Sequence, residues 1–199
     1  MLVDEIQLKG YEMSILNDSE IKRLCQEENM ISPFIPEQVR VKDGNKIVSY
    51  GLSSFGYDVR LAPVYKVFTN HNADIIDPLN MPEDCYIDKE GPFCVVPPNN
   101  YLLSHTIEVF DIPNDIMVLC VGKSTWSRCG IAVNVTPIEA GFKGTVVIEI
   151  ANLTPVPIKV YANMGIAQFM FFRGNKCDVS YDDRHGKYQN QKGIVTARI

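Results

Sequence analysis

The stretch from Gly122 to Glu149 concentrates the side chains of this chain that could carry chemistry. Glu149 lies in the run Thr145-Val-Val-Ile-Glu-Ile-Ala151. Strand alternation there sends Thr145, Val147, Glu149 and Ala151 to one face and Val146, Ile148 and Ile150 to the other. On a solvated face the glutamate is an ordinary exposed acid. At the floor of a pocket, desolvation would raise its pKa towards the range useful for proton transfer, while an arginine such as Arg128 would oppose that shift and hold the side chain in place. Upstream, Gly122-Lys123-Ser124-Thr125 offers an ammonium and two hydroxyls, either to a phosphate or to solvent at a surface turn. It is not a P-loop, because a Walker A motif needs a glycine five residues before its second glycine and Met117 stands there.

Composition narrows what these residues can serve. With 199 residues, 46% hydrophobic and 22% charged, the chain is expected to form one domain over its whole length. A net charge of -5 and a pI near 5.2 argue against a nucleic-acid binder, which needs a basic face to displace counterions. A small anionic ligand needs only a local basic cluster. No apolar run reaches the length of a membrane span, and Asp4, Glu5 and Lys9 interrupt the first ten residues, unlike a signal peptide. A cytoplasmic location is the expectation. Cys25, Cys85, Cys94, Cys120, Cys129 and Cys177 form no C-x-x-C pair, so reduced, mostly buried thiols are expected, not a disulfide framework or a zinc ribbon.

The elements that must position these groups are mostly strands. Residues 14–29 read as the one convincing helix, with Asn17 and Glu20 as a capping box and Ile21, Leu24 and Cys25 as its apolar stripe. Pro33 and Pro36 then end helical structure. Short β-branched or aromatic runs follow at 46–50, 57–61, 64–68, 93–96, 101–103 and 107–110. Others lie at 116–121, 132–135, 145–151, 157–160 and 166–172, separated by Gly, Pro, Asn and Asp. Many short strands without interleaved helices predict a mainly β fold, a barrel or a sandwich. The polar tail, residues 180–199, reads as a frayed terminus or as a lid whose Arg184, Lys187 and Lys192 meet phosphates while Tyr181 and Tyr188 cover a base.

Five ordered motifs together are more specific than any one. Gly122-Lys-Ser-Thr-Trp-Ser-Arg-Cys-Gly130, Glu139-Ala-Gly-Phe-Lys-Gly144, Val147-Ile-Glu149, Gly165-Ile-Ala-Gln168 and Lys187-Tyr-Gln-Asn-Gln191 resemble the dCTP deaminase family, which shares the dUTPase fold. The resemblance runs from the Leu16-Asn-Asp helix start, through residues 49–60, to the tail. It implies a homotrimer of distorted β-barrels with an N-terminal helix and interfacial active sites. Each site would convert dCTP and water to dUTP and ammonia. Mg²⁺ would accompany the triphosphate, and no protein side chain would ligate it. By position, Glu149 resembles the family's catalytic glutamate, Ser124 the hydroxyl that helps hold the water and Arg128 the arginine that supports the glutamate. Lys123, Ser124, Thr125 and Lys187 would serve the triphosphate and its surroundings. Gln168, Tyr181, Tyr188 and Gln191 would make further substrate contacts, and Val147 and Ile148 belong to the same substrate-binding run as Glu149. The backbone of Val135, Thr136 and Pro137 would present a carbonyl to the water. Phe142 would pack near the deoxyribose and crowd out a 2′-hydroxyl.

Zinc-dependent nucleobase deaminases carry H-x-E and P-C-x-x-C elements, and His71, His105 and His185 each lack a Glu two residues on. No zinc is therefore expected, and water must be activated by another group. The loop Thr136-Pro-Ile-Glu-Ala-Gly-Phe142 departs from the family: it is two residues shorter than the T-x-x-R-I-D-P-G-W of monofunctional bacterial enzymes and differs from the T-A-G-F-I-D-x-G-F of bifunctional ones. Glu139 stands where the family has aspartate. Alternatives are a bifunctional enzyme finishing at dUMP, a plain dUTPase with Glu139 at its catalytic aspartate's position, and a non-catalytic deoxynucleotide-binding module.

Overall fold

Asn17 starts a helix, as its side chain suggests, but the helix is shorter than the apolar stripe implies. The computed structural model describes residues 14–69, 75–82 and 84–198, so the expectations for residues 1–10 and for His71 lie outside it. The Asn17 side chain accepts a bond from the Glu20 backbone N–H at 3.0 Å, capping α1 (Asp18–Glu27), which buries Ile21, Leu24 and Cys25. The Glu20 carboxylate is drawn instead to Arg23 and Arg173. Ser14 and Ile15, expected within the helix, form the short strand β1 (Ser14–Ile15), because the extended backbone of Asn17 separates them from α1.

The strands then follow as β2 (Ile31–Ser32), β3 (Gln38–Lys42), β4 (Asn45–Ser53), β5 (Gly56–Arg60), β6 (Val64–Phe68) and β7 (Tyr86–Glu90). Next come β8 (Phe93–Val96), β9 (Tyr101–Asp111) and β10 (Ile116–Gly122), then α2 (Ser124–Arg128). The chain closes with β11 (Ile131–Asn134), β12 (Lys143–Asn152), β13 (Ile158–Tyr161) and β14 (Gly165–Arg173). One six-stranded sheet runs β1-β14-β5-β4-β3 with β10 also on β14, and a second runs β11-β12-β9-β6-β7 with β2 also on β9. β13 and β8 pair separately. The fold is thus mainly β. Tyr57, Phe169 and Phe171 from the first sheet and Leu102, Phe110, Ile148 and Ile150 from the second belong to one buried apolar cluster, in which the Phe110 and Phe169 rings lie 5.1 Å apart.

Three departures from the sequence reading have physical causes. The runs 101–103 and 107–110 are one strand, β9. The polar Ser104 and Thr106 between them are buried, and their hydroxyls donate to the carbonyls of Val64 (2.8 Å) and Glu108 (2.6 Å), so polarity there is no break. β3 and β7 carry too many charges to read as strands, yet they end their sheets, where charge protects an open edge. The helix α1 is also not alone: α2 folds one turn around Trp126, whose buried indole N–H donates to the Gly165 carbonyl at 2.8 Å.

Cys25, Cys85 and Cys94 are buried free thiols as expected, whereas Cys120 and Cys177 are half-buried and Cys129 is exposed. Among the described residues, no helix is long and apolar enough to cross a membrane.

Candidate active site

Glu149 sits on β12, next to the edge strand β11 of the second sheet. It pairs with Leu103 of β9 on one side and Asn134 of β11 on the other, with Val147 opposite His105 and Ala151 opposite Tyr101. β-branched residues on both flanks favour the extended backbone. Ile148 and Ile150 are fully buried, and Val147, Glu149 and Ala151 share the opposite, half-buried face. Thr145 departs from the expected alternation: a register shift between Thr145 and Val147 interrupts it, and Thr145 is buried against the tail. Ile148, expected at the substrate, turns its side chain into the core and leaves only its backbone for a ligand.

Above this face lies a cavity of about 540 Å³, in the size range of small-molecule sites. Val135, Thr136, Pro137, Glu139 and Phe142 wall one side, Val147 and Glu149 form part of the floor, and Tyr181, Tyr188 and Gln191 come from the tail. The Glu149 Oε2 atom is buried and has no hydrogen-bond partner among the described residues. Burial, partly offset by a backbone hydrogen bond, raises the Glu149 pKa above the ordinary glutamate value. A buried, unpaired carboxylate in an apolar cavity is costly unless something arrives to use it.

The cavity also contains residues that sequence reasoning missed. Tyr86 and Tyr101 line it with their hydroxyls 3.0 Å apart, together with Leu103, Ile76, Pro78 and Met81. Tyr101 and Leu103 carried a signal, since alternation along β9 puts them on the face that β12 presents Glu149 to. Tyr86 carried none, because β7 itself was not legible.

A second group of expected residues lies elsewhere on the same chain. α2 exposes Ser124, Thr125 and Arg128, and none of the three lines the Glu149 cavity. The expected Arg128–Glu149 pair is not formed within one chain. Thr125 instead borders a separate groove with Trp126, Cys129, Lys46 and Lys159. Lys123 caps α2 without a side-chain cap bond, and its ammonium turns inward to the buried Asp58 carboxylate and to Ser49 Oγ (3.3 Å). Gln168 on β14 donates to Ser53 Oγ at 2.8 Å, and Lys187 donates to the Arg198 carbonyl at 3.0 Å; neither lines the cavity.

The tail is docked and not frayed. Tyr181 N–H donates to the Ala140 carbonyl (2.8 Å), Asn190 N–H to Lys143 (2.8 Å) and Thr145 N–H to Gln191 (3.1 Å). The Gln191 amide returns a bond to the Thr145 carbonyl at 2.7 Å, and a parallel bridge joins Gln191 to Gly144. Gly144 has φ of +134°, and a Cβ there would stand 2.6 Å from the Gln191 carbonyl oxygen, so close approach of the tail requires glycine. Arg184 forms an ion pair with Glu139. Tail residues Tyr181, Tyr188, Gln191, Val195 and Thr196 thus line the cavity. Among the described residues, no three His, Cys, Asp or Glu side chains gather as a metal-binding group.

Comparison with known proteins connects this geometry to a family. The dCTP deaminase-like family matches residues 15–174. The chain is 52% identical to a dCTP deaminase of Burkholderia mallei (strain SAVP1) over 185 residues, covering 92% of this chain and 98% of the relative. It is 53% identical over 185 residues to a dCTP deaminase of Paraburkholderia phymatum, with the same coverage. Among solved structures, the 2′-deoxycytidine 5′-triphosphate deaminase from Agrobacterium tumefaciens superposes with a TM-score of 0.59 at 18% identity. That match covers 81% of this chain and 48% of the other, so the chain spans about half the length of that protein, and the likeness is one of fold.

Proposed function

We propose, from the premise that this chain belongs to the dCTP deaminase-like family, that it hydrolyses dCTP to dUTP and ammonia with Glu149 as the proton-transferring group. The observation that carries this reading is the Glu149 carboxylate, buried, unpartnered at Oε2 and raised in pKa at the floor of a nucleotide-sized cavity. In the first step Glu149 takes a proton from water as the oxygen attacks C4 of the cytosine, and it delivers that proton to N3. The intermediate carries a hydroxyl and an amino group on C4. Glu149 then takes the hydroxyl proton and passes it to the amino group, and ammonia leaves as the C4 carbonyl of uracil forms. The Val135–Pro137 backbone borders the cavity where a carbonyl could orient the water, and the tail roof restricts bulk water. Phe142, its ring 5.8 Å from that of Tyr181, supplies the flat wall that would crowd a 2′-hydroxyl.

The working unit we propose is a homotrimer of distorted barrels, in which a neighbour's α2 brings Ser124 and Arg128 to Glu149. Two half-complements support it: exposed Ser124 and Arg128 without their expected partner, and Glu149 without one either. Gln168, Thr125 and Lys123 would face the triphosphate from that second half, Lys123 only by exchanging its Asp58 contact, and Lys187 from the tail. Mg²⁺ held by phosphate oxygens and water, which suits its hydration, would neutralise the triphosphate. A metal carried in by the substrate in this way would need no cage of protein side chains. Water activation by Glu149 without zinc is part of the reading, as the sequence lacks both zinc-deaminase elements. EDTA treatment followed by excess Mg²⁺ should then restore full activity, and failure to recover would point to a tightly held metal.

The test is Glu149→Gln. It should lower dCTP turnover at least ~100-fold while nucleotide affinity, read by calorimetry, is retained. An unchanged rate would remove Glu149 from the mechanism.

A further inference from the structure

Among the polar groups of the cavity that the mechanism above leaves without a task are the hydroxyls of Tyr86 and Tyr101. They face each other at 3.0 Å, and either could be the donor. In either arrangement one O–H is used within the pair and the other is left over, since neither hydroxyl has another partner among the described residues. Both rings line the cavity that holds Glu149. Register fixes the relation further: Tyr101 lies opposite Ala151, the next residue along the same face as Glu149, and is therefore the diagonal neighbour of Glu149 across the β9–β12 pair. The aromatic bodies are held by Phe68, stacked on Tyr101 at 4.9 Å and edge-on to Tyr86 at 6.0 Å. The leftover proton is thus an available donor in the cavity that also holds the Glu149 carboxylate, whose Oε2 lacks a partner.

The geometry points to the Tyr86–Tyr101 pair as a positioning element that donates a hydrogen bond to the Glu149 carboxylate. This rests on the reading of Glu149 as the base. Other groups that face Glu149 from the surrounding elements do not replace the pair. Lys66 on β6 is tied to Asp88 at 2.6 Å. His105 on β9 is held neutral by burial, with Nδ1 on the Thr106 carbonyl at 2.8 Å. Cys120 on β10 is a thiol whose pKa burial pushes up to about 12, and Glu139 in the loop is paired with Arg184. The tail tyrosines also keep unused O–H protons, the Tyr181 hydroxyl accepting from the Tyr188 N–H and the Tyr188 hydroxyl from the Arg198 N–H, but unlike Tyr101 neither stands on a strand paired with β12. Burial also raises both pair tyrosines, Tyr86 the further, so they remain protonated donors at neutral pH.

The experiment is a carboxyl ¹³C NMR titration of Glu149 in the full chain, which needs no turnover; the resonance is assigned by its loss in Glu149→Gln. The double variant Tyr86→Phe/Tyr101→Phe keeps both rings against Phe68 and removes both hydroxyls. Its Glu149 midpoint should rise by about one pH unit, the size of a lost hydrogen bond to a charged group, and the acid limb of kcat/KM for dCTP should move with it. A midpoint equal to that of the unmodified chain overturns the assignment. If the double variant does not fold, Tyr101→Phe alone should shift the midpoint in the same direction, and its failure to do so overturns the assignment equally. Failure of the underlying reading is distinct: a Glu149→Gln chain that still turns over dCTP removes Glu149 as the base whatever the titration gives.

Discussion

Two variants that are each dead should restore one another if the site is shared between chains. Arg128→Ala retains Glu149, and Glu149→Gln retains Arg128. Within one chain Arg128 does not line the Glu149 cavity, so a working site would take its glutamate from one chain and its arginine from a neighbour. In randomly mixed oligomers made by co-expression in equal amounts, the glutamate-donating chain is intact at half of the interfaces and the arginine-donating chain at half of those. Roughly a quarter of the sites would then be complete. The assay is ammonia release from dCTP, with total chain concentration matched and mixing verified by a tag on one variant. The expectation is about 25% of unmodified activity, far above the sum of the two variants alone. Mixed oligomers no more active than that sum would refute the shared site, because sites built within one chain lack one residue in every copy.

Other perturbations test separate links. Trp126→Phe removes the indole bond to the buried Gly165 carbonyl and should destabilise the fold by about 1–3 kcal/mol; an unchanged urea midpoint would show that this bond does not anchor α2. Gly144→Ala places a methyl group 2.6 Å from the Gln191 carbonyl oxygen on a backbone with positive φ, so the tail should detach. The expected readouts are a severalfold rise in KM and faster proteolysis after residue 180, and neither should change if the tail is not the roof. Since burial raises the Glu149 pKa and the base must be a carboxylate, activity is present above its midpoint and lost as pH falls through it. The acid limb of kcat/KM should therefore lie above pH 4.5, the ordinary glutamate value, and a limb at or below it would show that burial does not dominate the Glu149 pKa in the working enzyme.

Much of the frame was legible because short-range signals sufficed for it. Asn17 marked the helix start, and the β-branched run around Glu149 marked β12 and the glutamate's place in it. What was hidden depended on partners distant in sequence. Ser104 and Thr106 looked like a break until the carbonyls that accept their hydroxyl protons were known. α2 has too few residues for helical periodicity, and its anchor is a carbonyl 39 residues beyond Trp126. The tail reads as solvated by composition, yet backbone bonds to β12 hold it down, and backbone bonding leaves little trace in side-chain chemistry. The site divided in the same way. Motif order collected its residues, but alternation misjudged Thr145 at a register shift, and spacing could not reveal that Lys123 turns inward to Asp58 or that Arg128 stands apart from Glu149. Tyr86 escaped notice because it lies on a charged edge strand.

The central claim is the reaction itself, and product analysis from dCTP tests it most directly. Nucleotides are separated by ion-exchange chromatography and ammonia is measured in the same samples. The account predicts dUTP and ammonia in equal amounts, with no pyrophosphate. Release of dUMP and pyrophosphate with ammonia would contradict the proposed end point, and an absence of ammonia from dCTP would contradict deamination altogether.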